Sequence, residues 1–303
     1  MRKSAKDEAI LVTGASGFVG NELFKQLKSQ HRNVHGLTRL GSGSTDRCLD
    51  EDINVLLLAD WSKFIADLKP TTIILCDWEG VAPPTRDDLE IQEANVTRWC
   101  EVIEASSPEL QRVLALGSQA ELSKNQDGIK SNSRMAPRGI YGESKSKAYD
   151  ELKQLATNRN FSVSWVRIFS LYGNTKNRSW LLPMIMDAVK TNRPIALTPS
   201  TQHWNFLHIS DLVSALISIL DQPKLNGPIN VANTETHTIL EIIEYVAKKT
   251  STSALFKIGE LPFPKDQVHN MRPDVSEILT TGWRPKVNLF DYLDEQIRIS
   301  TND

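Results

Sequence analysis

A doubly wound α/β fold, with a parallel sheet and helices on both faces, is what this 303-residue chain predicts. Short apolar or β-branched runs alternate with helical patterns through the first half, as successive βαβ units require. The first of these runs leads straight into a glycine-rich turn, Thr13-Gly14-Ala15-Ser16-Gly17-Phe18-Val19-Gly20. Past Leu171 the texture changes: nine of the 14 prolines fall there, which marks a smaller, loop-rich subdomain.

The opening strand is the apolar run at 9–12. The turn after it needs residues without a Cβ, because the backbone bends tightly, approaches a ligand closely and packs the next helix on the sheet. Gly14, Gly17 and Gly20 meet that need, and Ser16, Phe18 and Val19 complete the segment. The helix at 21–30 then presents its free N–H groups and positive dipole end, which suit the phosphates of a dinucleotide. Further strands are expected at 34–37, 55–58, 71–76, 113–116 and 162–166, with helices at 89–105 and 141–158. The Gly- and Ser-rich stretch 38–52 reads as a mobile loop. Later helices are expected at 181–190 and 239–249, while Ile209–Leu220 returns to pack on the sheet. These elements group as a dinucleotide-binding (Rossmann) domain, 1–170 plus 208–222, and a substrate-binding subdomain, 171–207 and 223–303.

Composition narrows the partners. A formal charge of −2 with 24% charged residues gives no footprint for nucleic acid and no polybasic membrane patch, so a small molecule is the expected partner. Cys48, Cys76 and Cys100 are too scattered for a metal knuckle or a CxxC pair, and no metal site is expected. Asp7 and Glu8 precede an apolar run too short for a signal peptide, and no stretch approaches the roughly 18 apolar residues of a membrane span. A cytoplasmic location is the expectation.

The candidate catalytic group is Tyr141 with Lys145, four residues apart on one face of a predicted helix. A free phenol has a pKa of about 10, and an ammonium one turn away is expected to favour the phenolate and so ease proton transfer. Spacing alone does not choose this pair, since Tyr149/Lys153, Tyr172/Lys176 and Tyr245/Lys249 share it. Context does: Ser118 ends a predicted strand at a distance that lets it meet Tyr141 over the carboxyl edge of the sheet, where open α/β sheets bind ligands. Ser118 would donate to a developing oxyanion while Tyr141 protonates it, as a carbonyl reduction requires.

In order along the chain, Thr13 to Gly20, Ser118, Tyr141 with Lys145, Tyr172-Gly173, His208 to Asp211 and Gly282-Trp283-Arg284-Pro285 resemble the extended short-chain dehydrogenase/reductases of the NAD-dependent epimerase/dehydratase group. That resemblance covers nearly the whole chain and implies a nucleotide-sugar enzyme. It places Asp60 near the adenine and Asn95 near the cofactor. It also implies that Lys145 holds the nicotinamide ribose, and that the chain forms a homodimer through the helices at 89–105 and 141–158. Dehydratases of the group carry Asp-Glu beside the catalytic residue; here Ser118 is followed by Gln119-Ala120-Glu121, which argues against elimination. Trp78-Glu79-Gly80 and the run Gln202 to Phe206 look like the 4-keto-6-deoxysugar reductase branch. Trp78, Ser170, Asn174, Trp204 and Arg272 are the substrate-binding candidates. Trp204 stands where many members have a diphosphate-binding Arg, Ser170 where Asn is usual, Asn174 where Pro is usual, and Leu122-Ser123 where Tyr-Gly is common. Arg272 matches the second diphosphate-binding Arg.

The second strand ends at Arg39. An NAD site places Asp or Glu there for the ribose 2′-hydroxyl, whereas Arg suits the 2′-phosphate of NADP. No carboxylate occurs between Leu37 and Thr45, so NADP is the expected cofactor, with NAD the alternative. The expected activity is NADPH-dependent reduction of a keto group on a nucleotide-linked deoxysugar. An NAD-retaining epimerase, a non-catalytic NADP(H) sensor on the same fold and a reductase of simpler ketones are the alternatives.

Overall fold

The computed structural model describes residues 8–40, 52–122, 127–175, 177, 179–264 and 267–302, so most of the expected loop at 38–52 lies outside the described residues. Contacts divide the chain into two compact units. One comprises Met1–Leu122, Arg134–Ile168 and Val213–Ile229; the other comprises Ser123–Ser133, Phe169–Leu212 and Asn230–Asp303.

The first unit is built on a seven-stranded sheet. Its strands are β1 (Ile10–Thr13), β2 (Val34–Arg39), β3 (Ile53–Leu56), β4 (Thr72–Leu75), β5 (Arg112–Ser118), β6 (Ser162–Ile168) and β7 (Gly227–Val231). The spatial order is β3-β2-β1-β4-β5-β6-β7, so the chain reverses its direction of travel across the sheet at β1, between β2 and β4. The first six strands pair in parallel, with Thr13 opposite both Leu37 and Leu75 and Ser118 opposite Ile168. Parallel strands covered on both faces should be apolar throughout, and β1, β4 and β5 are buried at every position. This is the Rossmann arrangement, whose ligand crevice lies at the carboxyl ends of the strands where the order reverses.

Leu11, Ile73, Leu75, Val113, Ala115 and Trp165 turn to one face of that sheet and form a single core with α2 (Leu58–Leu68), α3 (Leu89–Glu104) and α4 (Gly139–Arg159). The helices supply Trp61 and Ile65, Val96 and Trp99, and Ala148 and Leu152. Each of the larger apolar side chains withdrawn from water contributes about 1.5–3 kcal/mol, and an alanine methyl less. Asp88 caps α3 by accepting from the Ile91 N–H at 3.2 Å, and Asn160 ends α4 in the left-handed conformation. At the start of β5 the buried Arg112 guanidinium donates to the carbonyls of Ile219, Leu220, Gln222 and Leu225 at 2.9–3.2 Å. It thereby satisfies the open C-terminal end of α6 (Ile209–Leu220).

Two expectations need correction. The strand expected at 55–58 runs two residues earlier: Val55 and Leu56 close β3, whose ladder with β2 ends at the Arg39–Leu56 pair, while Leu57 is the N-cap and Leu58 begins α2. Short apolar runs do not declare their own period, and the helical spacing of Leu58, Trp61 and Ile65 decides here. Residues 227–229, expected in the second unit, carry the seventh strand of the first.

In the second unit, α5 (Leu181–Thr191), α7 (Ile239–Thr250) and α8 (Leu289–Asn302) enclose a core containing Tyr172, Ile185, Phe206, Ile242, Val246 and Leu293. Strand Ser170–Tyr172 pairs in parallel with Phe206–His208. Thr238 and Glu241 form a reciprocal cap at the start of α7, with N–H to oxygen distances of 3.1 and 2.8 Å. The buried Asp211 accepts from the N–H groups of Lys286 and Val287, both at 3.0 Å, and Trp283 donates to the Asp211 carbonyl at 3.1 Å. His208 stacks edge-on against Tyr172 and lies beside Tyr292. The His208-to-Asp211 and Gly-Trp-Arg-Pro segments therefore hold this unit together.

Candidate active site

The glycine turn leaves no room for side chains. Gly14 has φ +64°, and a Cβ there would lie 2.8 Å from the Asp77 Cα; at Gly20 it would lie 2.2 Å from the Gly14 carbonyl oxygen. Helix α1 (Phe18–Ser29) begins with Gly17 as its N-cap, and no side chain caps it. The positive end of the helix thus faces the glycine turn and favours an anionic ligand there. Ser16 and Thr38 share a hydroxyl hydrogen bond that ties the turn to the end of β2.

Ser118 closes β5, and its side chain faces the phenol of Tyr141 on the first turn of α4 and lowers its pKa. The Ser118 hydroxyl accepts from the Ala120 N–H at 3.2 Å. Burial pushes the Tyr141 phenol above its ordinary value, while Ser118 and the Arg86 cation pull it back. Arg86 lies 4.2 Å from the centre of the Tyr141 ring. The expectation that Lys145 lowers the phenol pKa is therefore corrected. Lys145 is buried, donates to the Leu116 carbonyl at 2.7 Å and stands 5.9 Å from the centre of the Tyr141 ring. Its ammonium rests 3.6 Å from the centre of the Trp78 ring and 4.4 Å from that of Trp99, and burial holds its pKa well below the usual lysine value. Trp78 in turn meets Tyr141 edge-on, with ring centres 6.4 Å apart, so it belongs to the surroundings of the catalytic candidates.

The carboxyl end of β2 also departs from expectation. Arg39 donates to Glu79 at 2.8 Å, so a carboxylate does face the end of β2, contributed from beyond β4. Asn95 is fully buried and spent on that loop: its carboxamide accepts from the Glu79 N–H and donates to the Glu79 carbonyl, both at 2.9 Å. Asp77 binds the Thr13 hydroxyl, the Trp99 N–H and the Arg98 guanidinium at 2.5, 2.9 and 2.8 Å, joining the glycine turn to α3. Asp60 stands in the exposed first turn of α2, where its charge complements the helix N-terminus.

Four substrate candidates belong to the second unit. Trp204 is half-buried, donates its indole N–H to the Ser170 hydroxyl and packs against the core of that unit. Asn174 and Arg272 are exposed. The Asp274 carboxylate accepts from the Ser276 N–H at 2.8 Å, and no ion pair to Arg272 occurs among the described residues.

Arg86, Asp77 and Glu79 are the side chains that sequence reasoning passed over. Arg86 lies on a three-residue turn with no periodic signal, and the two carboxylates follow β4, where their partners are distant in sequence. No cluster of metal-ligating side chains and no helix long and apolar enough to cross a membrane occurs among the described residues.

A sequence profile of the NAD dependent epimerase/dehydratase family matches residues 10–232. UDP-glucuronic acid decarboxylase 1 of Danio rerio is 27% identical over 168 residues, spanning 54% of this chain but only 40% of that protein. The dTDP-4-dehydro-6-deoxyglucose reductase of Escherichia coli is 22% identical, with 97% of this chain and 98% of that one covered. Among solved structures, the UDP-glucuronic acid 4-epimerase of Bacillus cereus in complex with UDP-glucuronic acid and NAD superposes with a TM-score of 0.80 at 18% identity, covering 97% of this chain and 99% of that one.

Proposed function

The chain belongs to the NAD dependent epimerase/dehydratase family, and from that membership we propose that it is an NADPH-dependent reductase of a keto group on a nucleotide-linked deoxysugar. The observation that carries this reading is the state of Tyr141: buried beside Ser118 and displaced upward in pKa, it keeps its proton at neutral pH. A tyrosine that keeps its proton is an acid, and an acid is what a carbonyl oxygen needs as hydride reaches the adjacent carbon.

The glycine cradle, which a Cβ would fill, fits a dinucleotide pyrophosphate, with the first-turn N–H groups of α1 as donors. NADPH bound there supplies the hydride. Ser118 orients the substrate carbonyl and Tyr141 gives up its proton to the oxygen. Lys145, whose Nζ donates to the Leu116 carbonyl, is proposed to hold the nicotinamide ribose. Arg39 is the proposed 2′-phosphate ligand. Trp78, Ser170, Asn174, Trp204 and Arg272 are proposed to contact the substrate, with Arg272 as the diphosphate donor. Assembly as a homodimer through α3 and α4 and a cytoplasmic location belong to the same proposal.

A second reading, an epimerase that retains NAD, is favoured by the Arg39–Glu79 pair, which puts a carboxylate at the end of β2. One assay separates the two: purified protein is mixed with NADPH and a panel of CDP-, dTDP-, UDP- and GDP-linked 4-keto and 4-hydroxy sugars. Reduction consumes one NADPH per hydroxyl formed. Sugar interconversion without consumption of added NADPH overturns the reductase reading.

A further inference from the structure

We propose that Glu121 is the positioning residue of the Ser118–Tyr141 pair, fixing the Ser118 peptide from beneath and presenting a negative charge to Tyr141 and Lys145. This inference rests on the proposed reduction for its kinetic readout and on geometry for its substance.

The Glu121 side chain is fully buried at the end of the three-residue turn that follows β5. One carboxylate oxygen accepts from the Ser118 N–H at 2.5 Å. The other accepts from the Trp165 indole N–H at 2.8 Å and from the Arg167 guanidinium at 3.2 Å. Arg167 is itself 1% exposed. The backbone makes room for this cluster at Gly117, where a Cβ would fall 2.3 Å from the Trp165 indole nitrogen and 2.9 Å from the Glu121 carboxylate. Gly117-Ser118-Gln119-Ala120-Glu121 is therefore one device: a glycine for clearance, the hydroxyl that meets Tyr141, and the acceptor that fixes that hydroxyl's peptide.

A buried ion pair is a poor way to gain stability, because apolar side chains would fill the same volume without the cost of desolvating two charges. What apolar residues could not supply is an acceptor for the Ser118 N–H and a charge aimed at the reacting groups. Tyr141 faces Ser118 and Glu121 from the β5 side, Arg86 from the short turn before α3, and Lys145 one turn along its own helix. Among these, Glu121 opposes the phenolate and Arg86 favours it. Burial pushes the Glu121 carboxyl up, and Arg167, the Trp165 and Ser118 N–H groups and Lys145 act against that shift; Glu121 in turn favours the charged form of Lys145.

The test compares wild type with Glu121→Asp and with the double variant Glu121→Gln/Arg167→Gln, which leaves no unpaired buried charge. Folding is checked by circular dichroism and NADPH binding by fluorescence titration. The expected result for the double variant is a kcat lower by about 10- to 100-fold, with KM and NADPH affinity changed by no more than about twofold. The alkaline limb of kcat moves to lower pH, because a charge opposing the phenolate is gone. Glu121→Asp, which keeps the charge but retracts the acceptor, loses kcat without moving that limb. A double variant that is merely less stable, with kcat and the limb unchanged, overturns the proposal. If the wild type reduces no keto sugar, the functional reading fails separately. Tyr141 is then titrated by its phenolate absorbance, with Tyr141→Phe as the blank: a midpoint lowered in the double variant supports the role of Glu121, and an unmoved one refutes it.

Discussion

Arg39 and Glu79 form an ion pair across the carboxyl ends of β2 and β4, with the guanidinium 2.8 Å from the carboxylate. If the 2′ position of the cofactor lies at Arg39, as proposed, a 2′-phosphate has to draw Arg39 away from Glu79 and sit beside the carboxylate left behind. A 2′-hydroxyl meets no such competition. The Asn95 clamp on the Glu79 backbone keeps that carboxylate in place.

Glu79→Gln should therefore tighten NADPH about two- to fivefold, the worth of an exposed ion pair, and leave NADH unchanged. Arg39→Ala should weaken NADPH about tenfold or more, the worth of a charge-assisted hydrogen bond, again sparing NADH. Fluorescence titration of both cofactors against both variants measures this. Equal shifts for the two cofactors would remove Arg39 and Glu79 from the 2′ position.

Tyr141→Phe removes the proton donor and little else, because the ring keeps its contacts with Trp78 and Arg86. Turnover should fall by about 10²–10⁴-fold while NADPH affinity holds. A variant that retains most of its activity would move the acid elsewhere.

The pH profile carries a signed prediction. Tyr141 serves as an acid only while protonated, and its pKa is raised, so kcat in the reductive direction should persist through neutral pH and decline only in the alkaline range. Arg86 favours the phenolate, so Arg86→Gln should carry that decline to still higher pH. An Arg86→Gln profile superimposable on wild type would show that the guanidinium does not act on the phenol.

Gly20→Ala places a methyl 2.2 Å from the Gly14 carbonyl oxygen, a backbone atom that yields only if the turn opens. Overpacking of this kind costs about 1–3 kcal/mol. The melting temperature should fall, and the NADPH-induced rise in melting temperature should vanish. A variant whose cofactor shift survives would mean that the turn does not hold the pyrophosphate.

Asp211→Ala leaves the N–H groups of Lys286 and Val287 without their acceptor. At about 1–2 kcal/mol for each part-buried N–H left without its acceptor, urea unfolding should reveal a loss of roughly 2–4 kcal/mol. Asp211→Asn, able to satisfy one of the two, should fall between.

The α/β class and most strands were legible because parallel strands buried on both faces must be apolar, and because the glycine turn marks where the first strand meets its helix. The expectation for residues 55–58 fell two residues late where an apolar run crossed from ladder to helix with no break in hydropathy. At the site, the meeting of Ser118 with Tyr141 was readable from strand end and helix start, and the two side chains face each other in the structure. Lys145 illustrates the opposite case. Spacing placed it on the face of Tyr141, but only packing directs its ammonium to the Leu116 carbonyl and the indoles of Trp78 and Trp99. Arg86, Glu79 and Glu121 act through partners that pattern does not reveal, since charge pairing between separate elements leaves no period in the sequence.

The seventh strand, Gly227–Val231, has a consequence for the chain as it is made. Arg112 leaves the ribosome more than a hundred residues before the Leu225 carbonyl that it binds, and at typical synthesis speeds that interval is on the order of ten seconds. Once β6 has been made it is an open edge until then, and the guanidinium of Arg112 has only the Ser164 hydroxyl and water as partners. The early strands can collapse around one another, yet the sheet that carries Ser118 is completed only when residue 231 has emerged. A chain stopped short of residue 231 would present an unfinished sheet to the chaperones and proteases that patrol such edges.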